Sequence, residues 1–169
     1  VSAPTVIRYV DFLEGAYLVR RLHPYFINLN KRLVKAPKVY IRDSGLLHQL
    51  CDINSVSSLK KNSLIGASWE GYAIEEICKR LPASIQPMYY RTQAGTECDL
   101  VLVKGISVLA CIEIKHSNSP ALTRGFYESI KDLNPKKSFV LTPDSHAYKL
   151  TGGTMVLTLN EFLSKNIPK

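Results

Sequence analysis

No stretch of this 169-residue sequence approaches the roughly 20 consecutive apolar residues that a membrane-spanning helix requires. That excludes a transmembrane helix. The opening residues, Val1-Ser2-Ala3-Pro4, lack the charged-then-apolar pattern of a secretory signal. With no initiating methionine, the chain is expected to be part of a longer protein. There is no GxxxxGK[ST] phosphate loop, so no ATP site of that kind is expected. No internal repeat or heptad pattern is present, which argues against a solenoid or a coiled coil. The four cysteines, Cys51, Cys78, Cys98 and Cys111, form no CxxC pair and lack paired histidines nearby. A structural zinc site therefore has no ligand set. Reduced thiols in a cytoplasmic protein are the expectation.

Acidic residues are the scarcer sign, 14 against 22 Lys and Arg, for a net charge of +8. The excess is uneven. Residues 1–63 hold ten basic and four acidic side chains, whereas 64–169 are nearly balanced. A basic segment joined to a near-neutral one suggests an anionic partner for the first.

Val6, Tyr9, Val10 and Leu13 recur at helical spacing and predict a helix over 3–14, with Ser2 as cap and Gly15 at its end. A short strand is expected at Ala16–Val19. A turn-rich stretch, His23-Pro24-Tyr25, then leads to the apolar Phe26-Ile27-Asn28-Leu29, and Lys38–Ile41 reads as a second strand. A helix followed by a hairpin with basic residues at its tip is what the end of a winged helix looks like. Arg20, Arg21, Lys31, Arg32 and Lys35 are its candidate contacts to a duplex backbone. Asp43 caps a short helix through Leu50. Residues 1–50 thus read as a winged-helix remnant, and the Ser-, Asn- and Lys-rich 51–63 as a linker. From residue 64 the order is helix (64–80), strands at 85–91, 97–103 and 108–115, a helix starting at Pro120, a strand at 137–141, a strand at 154–158 and a terminal helix.

The residues with chemistry lie on two of these strands. Alternation puts Glu113 and Lys115 on one side of an apolar strand, with Ile112 and Ile114 on the other. The turn at Lys104-Gly105 joins that strand to the preceding one, so Asp99 can lie beside Glu113. Buried acids and a lysine are costly without a role. Two readings stay open from spacing alone. The carboxylates bind Mg²⁺ or Mn²⁺, with Lys115 orienting a nucleophile or stabilising charge on a phosphate, or a metal-free ion pair joins Lys115 to Glu113 or Asp99. Glu75 and Glu76 read as a solvated helix face, Tyr89 and Tyr90 as packing residues, and Arg91 as a surface ion pair. His116 points away from Lys115, and His23, His48 and His146 have no second ligand at useful spacing.

An Asp, a hairpin and then Glu-x-Lys resemble the core motif of the PD-(D/E)XK nuclease superfamily, which includes restriction enzymes and Holliday-junction resolvases. Gly66-Ala67-Ser68-Trp69-Glu70 resembles the Gly-x-x-aromatic-Glu of the resolvase branch. The resemblance implies an α/β, restriction-endonuclease-like fold. Its mixed central sheet is flanked by helices in an α-β-β-β-α-β core over 64–169. It implies Asp99, Glu113 and the Ile114 backbone carbonyl as ligands of Mg²⁺ or Mn²⁺, Lys115 positioning the attacking water, and Glu70 as a third carboxylate. Cys98 stands where the motif has proline, a change to the strand's start more than to its chemistry.

A wider likeness rests on Thr5-Val6-x-x-Tyr9-x-x-x-Leu13-Glu14, Pro37-Lys38-Val39-Tyr40-x-x-Asp43-x-Gly45-Leu46 and Tyr90-Arg91-x-x-x-Gly95-x-Glu97-x-Asp99. Together these resemble the C-terminal part of prokaryotic AAA-type ATPases, where a winged helix precedes a nuclease-like domain of unknown function. That implies an ATPase module upstream and DNA as partner, and leaves room for an oligomer. The alternative is a non-catalytic module of the same fold that binds DNA or protein and docks to the ATPase.

Overall fold

Two consecutive apolar runs, Glu97–Lys104 (β4) and Ser107–Ile114 (β5), form the middle of the molecule, and their side chains from Cys98 to Val103 and from Ala110 to Ile114 are buried. Strands covered on both faces read as continuous apolar segments, and these do. The computed structural model describes residues 1–26, 31–150 and 152–169. The expected apolar run Phe26–Leu29 lies, beyond an exposed Phe26, outside the described residues.

The chain is mixed α/β. Its N-terminal part comprises α1 (Ala3–Gly15), the antiparallel pair β1 (Val19–Leu22) and β2 (Lys38–Ile41), α2 (Ser44–Leu50) and α3 (Val56–Lys61). Then follow α4 (Ile65–Cys78), β3 (Gln86–Arg91), β4, β5, α5 (Arg124–Leu133), β6 (Lys137–Thr142), β7 (Tyr148–Lys149), β8 (Met155–Thr158) and α6 (Leu159–Lys165). A six-stranded mixed sheet runs β3-β4-β5-β6-β8-β7. Its β3, β4 and β5 are antiparallel, β5-β6 and β6-β8 are parallel, and β7 returns antiparallel. The tight turn at Gly105, with φ +59°, joins β4 to β5.

One face of the sheet packs Leu100, Leu102, Ile112, Ile114 and Leu141 against Ile74 and Ile77 of α4 and Phe162 of α6. The other packs Cys98, Val101, Val103 and Cys111 against Phe126 and Leu133 of α5. Between Tyr90↔Cys98 and Met88↔Val101, β4 advances three residues while β3 advances two. This bulge falls on Asp99 and Leu100, and bulges re-aim side chains beside functional sites.

Several expectations shift. The first strand starts at Val19, not Ala16, because Tyr17 turns the chain at φ 60°. The arginines that follow sit inside the strand because acidic partners satisfy them. The stretch 51–63 contains α3, started by a Ser55–Ser58 capping box that needs no apolar periodicity. The helix expected from Pro120 begins at Arg124, capped by Thr123. The capping roles of Ser2 and Asp43 are as expected.

Short segments around Pro24 and Leu33 lie against the edge of the sheet. Pro24 and Leu33 form bridges to Tyr89 and Thr92. Tyr25 N–H donates to the Tyr89 carbonyl at 2.7 Å, and Val34 N–H donates to that of Arg91 at 2.9 Å. The loop after β3 is held from the other side by α5. A Cβ added at Gly125 would stand 2.6 Å from the Gly95 carbonyl oxygen, a backbone atom with little room to yield. Gly125→Ala is therefore expected to destabilise the protein by about 1–3 kcal/mol. A lowered urea midpoint would show it, and an unchanged midpoint would refute the close contact.

Candidate functional site

The Glu97–Asp99 stretch and the end of β5 bring Asp99 and Glu113 together. Extending the Leu100↔Ile112 register by one step sets Asp99 opposite Glu113. Asp99 Oδ2 accepts the Ile114 backbone N–H at 2.9 Å, so the carboxylate takes the place of a ladder carbonyl. Glu113 Oε1 meets Lys115 Nζ at 2.7 Å. Glu113 Oε2 is buried and has no hydrogen-bond partner among the described residues. Burial, then the charge of Asp99, push the Glu113 pKa up to about 7, despite Lys115. Burial, then Glu70, raise that of Asp99 as well, against the pull of Lys38 and the Ile114 N–H. Burial is the largest influence on Lys115 and disfavours its charge. The hydrogen bond to Glu113, together with the charges of Glu113, Asp99 and Glu70, more than offsets it and raises the pKa, so Lys115 stays a cation.

Glu70 reaches the same place from α4. Its Oε1 accepts the Tyr40 hydroxyl at 2.5 Å and lies 3.1 Å from Lys38 Nζ. Both partners come from β2, where alternation sets Lys38 and Tyr40 on one face and leaves Val39 exposed. Gly71 permits this approach, since a Cβ there would stand 3.3 Å from the Tyr40 ring. The Lys38 ammonium also lies 3.0 Å from Glu97 Oε1 and 3.5 Å from Asp99 Oδ1. Burial disfavours its charge, but Glu70 and Asp99 overcome this and raise its pKa. Arg91 stands 3.6 Å from Glu97.

The predicted Asp99, Glu113, Lys115 and Glu70 thus converge, and Lys38, Tyr40 and Glu97 join them. Sequence reasoning gave the last three no role, although Lys38-Val39-Tyr40 lies within a quoted motif. A lysine and a tyrosine two apart in a strand were the available signal. His116 is exposed, its ring edge-on to Trp69 with centroids 6.4 Å apart. Tyr89 and Tyr90 are core residues.

Several positions assigned to nucleic acid have internal partners. Arg20 Nε bonds Glu75 Oε2 at 2.7 Å. Arg21 pairs with Asp11 at 2.8 Å and, through Nε, with Glu14 at 2.6 Å. Lys31 binds both oxygens of Asp132 at 2.7 Å. Arg32 lines a cleft of about 900 Å³ with Lys31, Gln93, Arg124 and Glu128, and Lys35 is exposed. Glu75 is not on a solvated face. It is 3% exposed and also binds Arg42 Nη2 at 2.7 Å, because two arginines from the N-terminal segment converge on it. Glu76 pairs with Lys79 and Arg80 just past the end of its own helix.

Among the described residues, no group of three or more His, Cys, Asp and Glu side chains is gathered as a metal would need, and Lys38 stands between Glu70 and Asp99. The donor set nonetheless suits a hard cation: every candidate ligand is an oxygen, and Glu113 Oε2 is buried with nothing to bind. Among the described residues, no helix is long and apolar enough to cross a membrane.

Fold and site together define a mixed α/β protein with a half-buried acid–lysine cluster at the sheet. By sequence the chain belongs to the family described as Domain of unknown function (DUF4143), whose model matches residues 65–162. A second model, Domain of unknown function (DUF8612), matches residues 1–57. The chain is similar to two uncharacterized proteins, Mb2031c of Mycobacterium bovis and Rv2008c of Mycobacterium tuberculosis. It is 34% identical to each over 165 residues, 97% of this chain. It spans 37% of the length of these curated relatives. No solved structure matches it.

Proposed function

We propose that this chain carries a PD-(D/E)XK-type site for metal-dependent hydrolysis of DNA phosphodiesters, within a larger protein that includes an AAA-type ATPase module. The observation that carries the reading is the meeting of Asp99, Glu113 and Lys115, with a buried Glu113 oxygen left without a partner. The order α4-β3-β4-β5-α5-β6 and the mixed sheet support the nuclease-like fold.

Asp99, Glu113 and the Ile114 carbonyl would hold Mg²⁺ or Mn²⁺, with Glu70 beside them. When bound, the cation supplies Lewis-acid stabilisation of charge on the phosphate oxygens. Glu113 fixes the Lys115 ammonium, which remains protonated at neutral pH and can orient the attacking water and stabilise charge on the phosphate. Arg32, Lys35 and Arg124 offer phosphate contacts that hold a duplex without reading its sequence.

The test is incubation of the protein with linear and branched DNA and Mn²⁺. Cleavage of at least one substrate is expected, and no cleavage of any would refute the enzyme. One observation favours a second reading: the Lys38 ammonium already neutralises part of the cluster, as in a non-catalytic DNA- or protein-binding module. DNA binding that weakens steeply with salt, without cleavage, would establish that module instead.

A further inference from the structure

Lys38 lies against two of the carboxylates assigned to the cation, Glu70 and Asp99. Its Nζ has three carboxylate neighbours from two elements: Glu70 Oε1 of α4 at 3.1 Å, and Glu97 Oε1 and Asp99 Oδ1 of β4 at 3.0 and 3.5 Å. An ammonium has three N–H donors, so this set saturates it. A divalent cation held by Asp99 with Glu70 beside it needs oxygens of two of these carboxylates at about 2.0–2.6 Å, in competition with the ammonium. The cluster still has room for charge. Glu70, Glu97, Asp99 and Glu113 face Lys38, Lys115 and Arg91, and the buried Glu113 Oε2 has no partner.

We propose that Lys38 is the resident occupant of a divalent-cation site and competes with the metal for Glu70 and Asp99, so that β2 sets the metal affinity of the sheet. This inference rests on the metal reading above. The side chain has somewhere to go. Glu97 is more exposed than Asp99, 33% against 10%, and can keep the ammonium while Asp99 and Glu70 release it. The Lys38 Nζ also lies over the Tyr89 ring, 5.5 Å from its centroid, so the ring face and Glu97 can hold the ammonium once Asp99 and Glu70 release it. Tyr40 keeps Glu70 in place throughout by its hydroxyl bond.

Mn²⁺ titration by calorimetry of the wild-type protein, Lys38→Met and Lys38→Arg tests the competition without any assay of cleavage. A site held by Lys38 about nine-tenths of the time binds about tenfold more weakly than the open one, so Lys38→Met should bind Mn²⁺ about tenfold tighter. Lys38→Arg, which keeps the charge, should not. Equal or weaker binding by Lys38→Met, with wild type binding measurably, overturns the competition and leaves the metal reading intact. No Mn²⁺ binding by wild type or Lys38→Met overturns both. Thermal unfolding guards against a variant that is merely unstable. Lys38→Met should melt below wild type in EDTA and gain more from Mn²⁺ than wild type does. An equal gain, or a variant that Mn²⁺ cannot fold, contradicts the replacement of the ammonium by the metal.

Discussion

Replacing Lys115 by alanine should lower the proposed Mn²⁺-dependent cleavage of DNA by about 10²–10³-fold, the range for losing one charge-stabilising donor. The loss is expected in the single-turnover rate, with DNA affinity nearly unchanged. Lys115 lies just beyond the end of β5, with its side chain 33% exposed, so truncation leaves no buried cavity. What it removes is the cation bonded to Glu113. Asp99→Asn should lose activity for a different reason. An asparagine oxygen can still accept the Ile114 N–H, so the strand ends stay together while the ligand charge disappears. A Lys115→Ala protein that cleaves at the wild-type rate would remove the lysine from the reaction.

Glu75→Ala destabilises the protein by about 3 kcal/mol, the lower end of the range for stranding the partners of a buried ion pair. The low end applies because Arg20 and Arg42 are 23% and 25% exposed and can regain some water. Burial alone would raise the Glu75 pKa, but hydrogen bonds from both arginines outweigh it and hold the carboxyl below its ordinary 4.5. The stabilisation is therefore present in full above about pH 4.5 and fades as pH falls through the lowered pKa of the folded state. Denaturant midpoints of the two proteins should be well separated at pH 7 and converge in acid. A constant separation across that range would mean that Glu75 acts through packing alone.

The strands that carry the acid–lysine cluster were legible because their signal is local. Acids and a lysine inside apolar, alternating runs stand out, and a two-residue turn fixes which strands pair. Lys38 and Tyr40 were not legible in that way. Their bonds to Glu70 and Asp99 span 30 to 61 residues, and only the folded chain brings β2 to α4. The same holds for Glu75, whose helix position reads as solvent-facing until Arg20 and Arg42 arrive from 55 and 33 residues away. The two-residue β7 has both side chains exposed, so no hydrophobic alternation could announce it. Arg20, Lys31 and Lys38, part of the basic excess in the first 63 residues that suggested a nucleic-acid grip, pair with acids of α4, α5 and β4.

The bridges from Pro24 and Leu33 have a further effect on the molecule's company in solution. They satisfy outward-facing amide and carbonyl groups of Tyr89 and Arg91, on the side of β3 that no other strand of the sheet covers. A chain begun at residue 64 would present that row bare, as a template for another copy's strand. Removal of the N-terminal segment should therefore increase self-association through this edge.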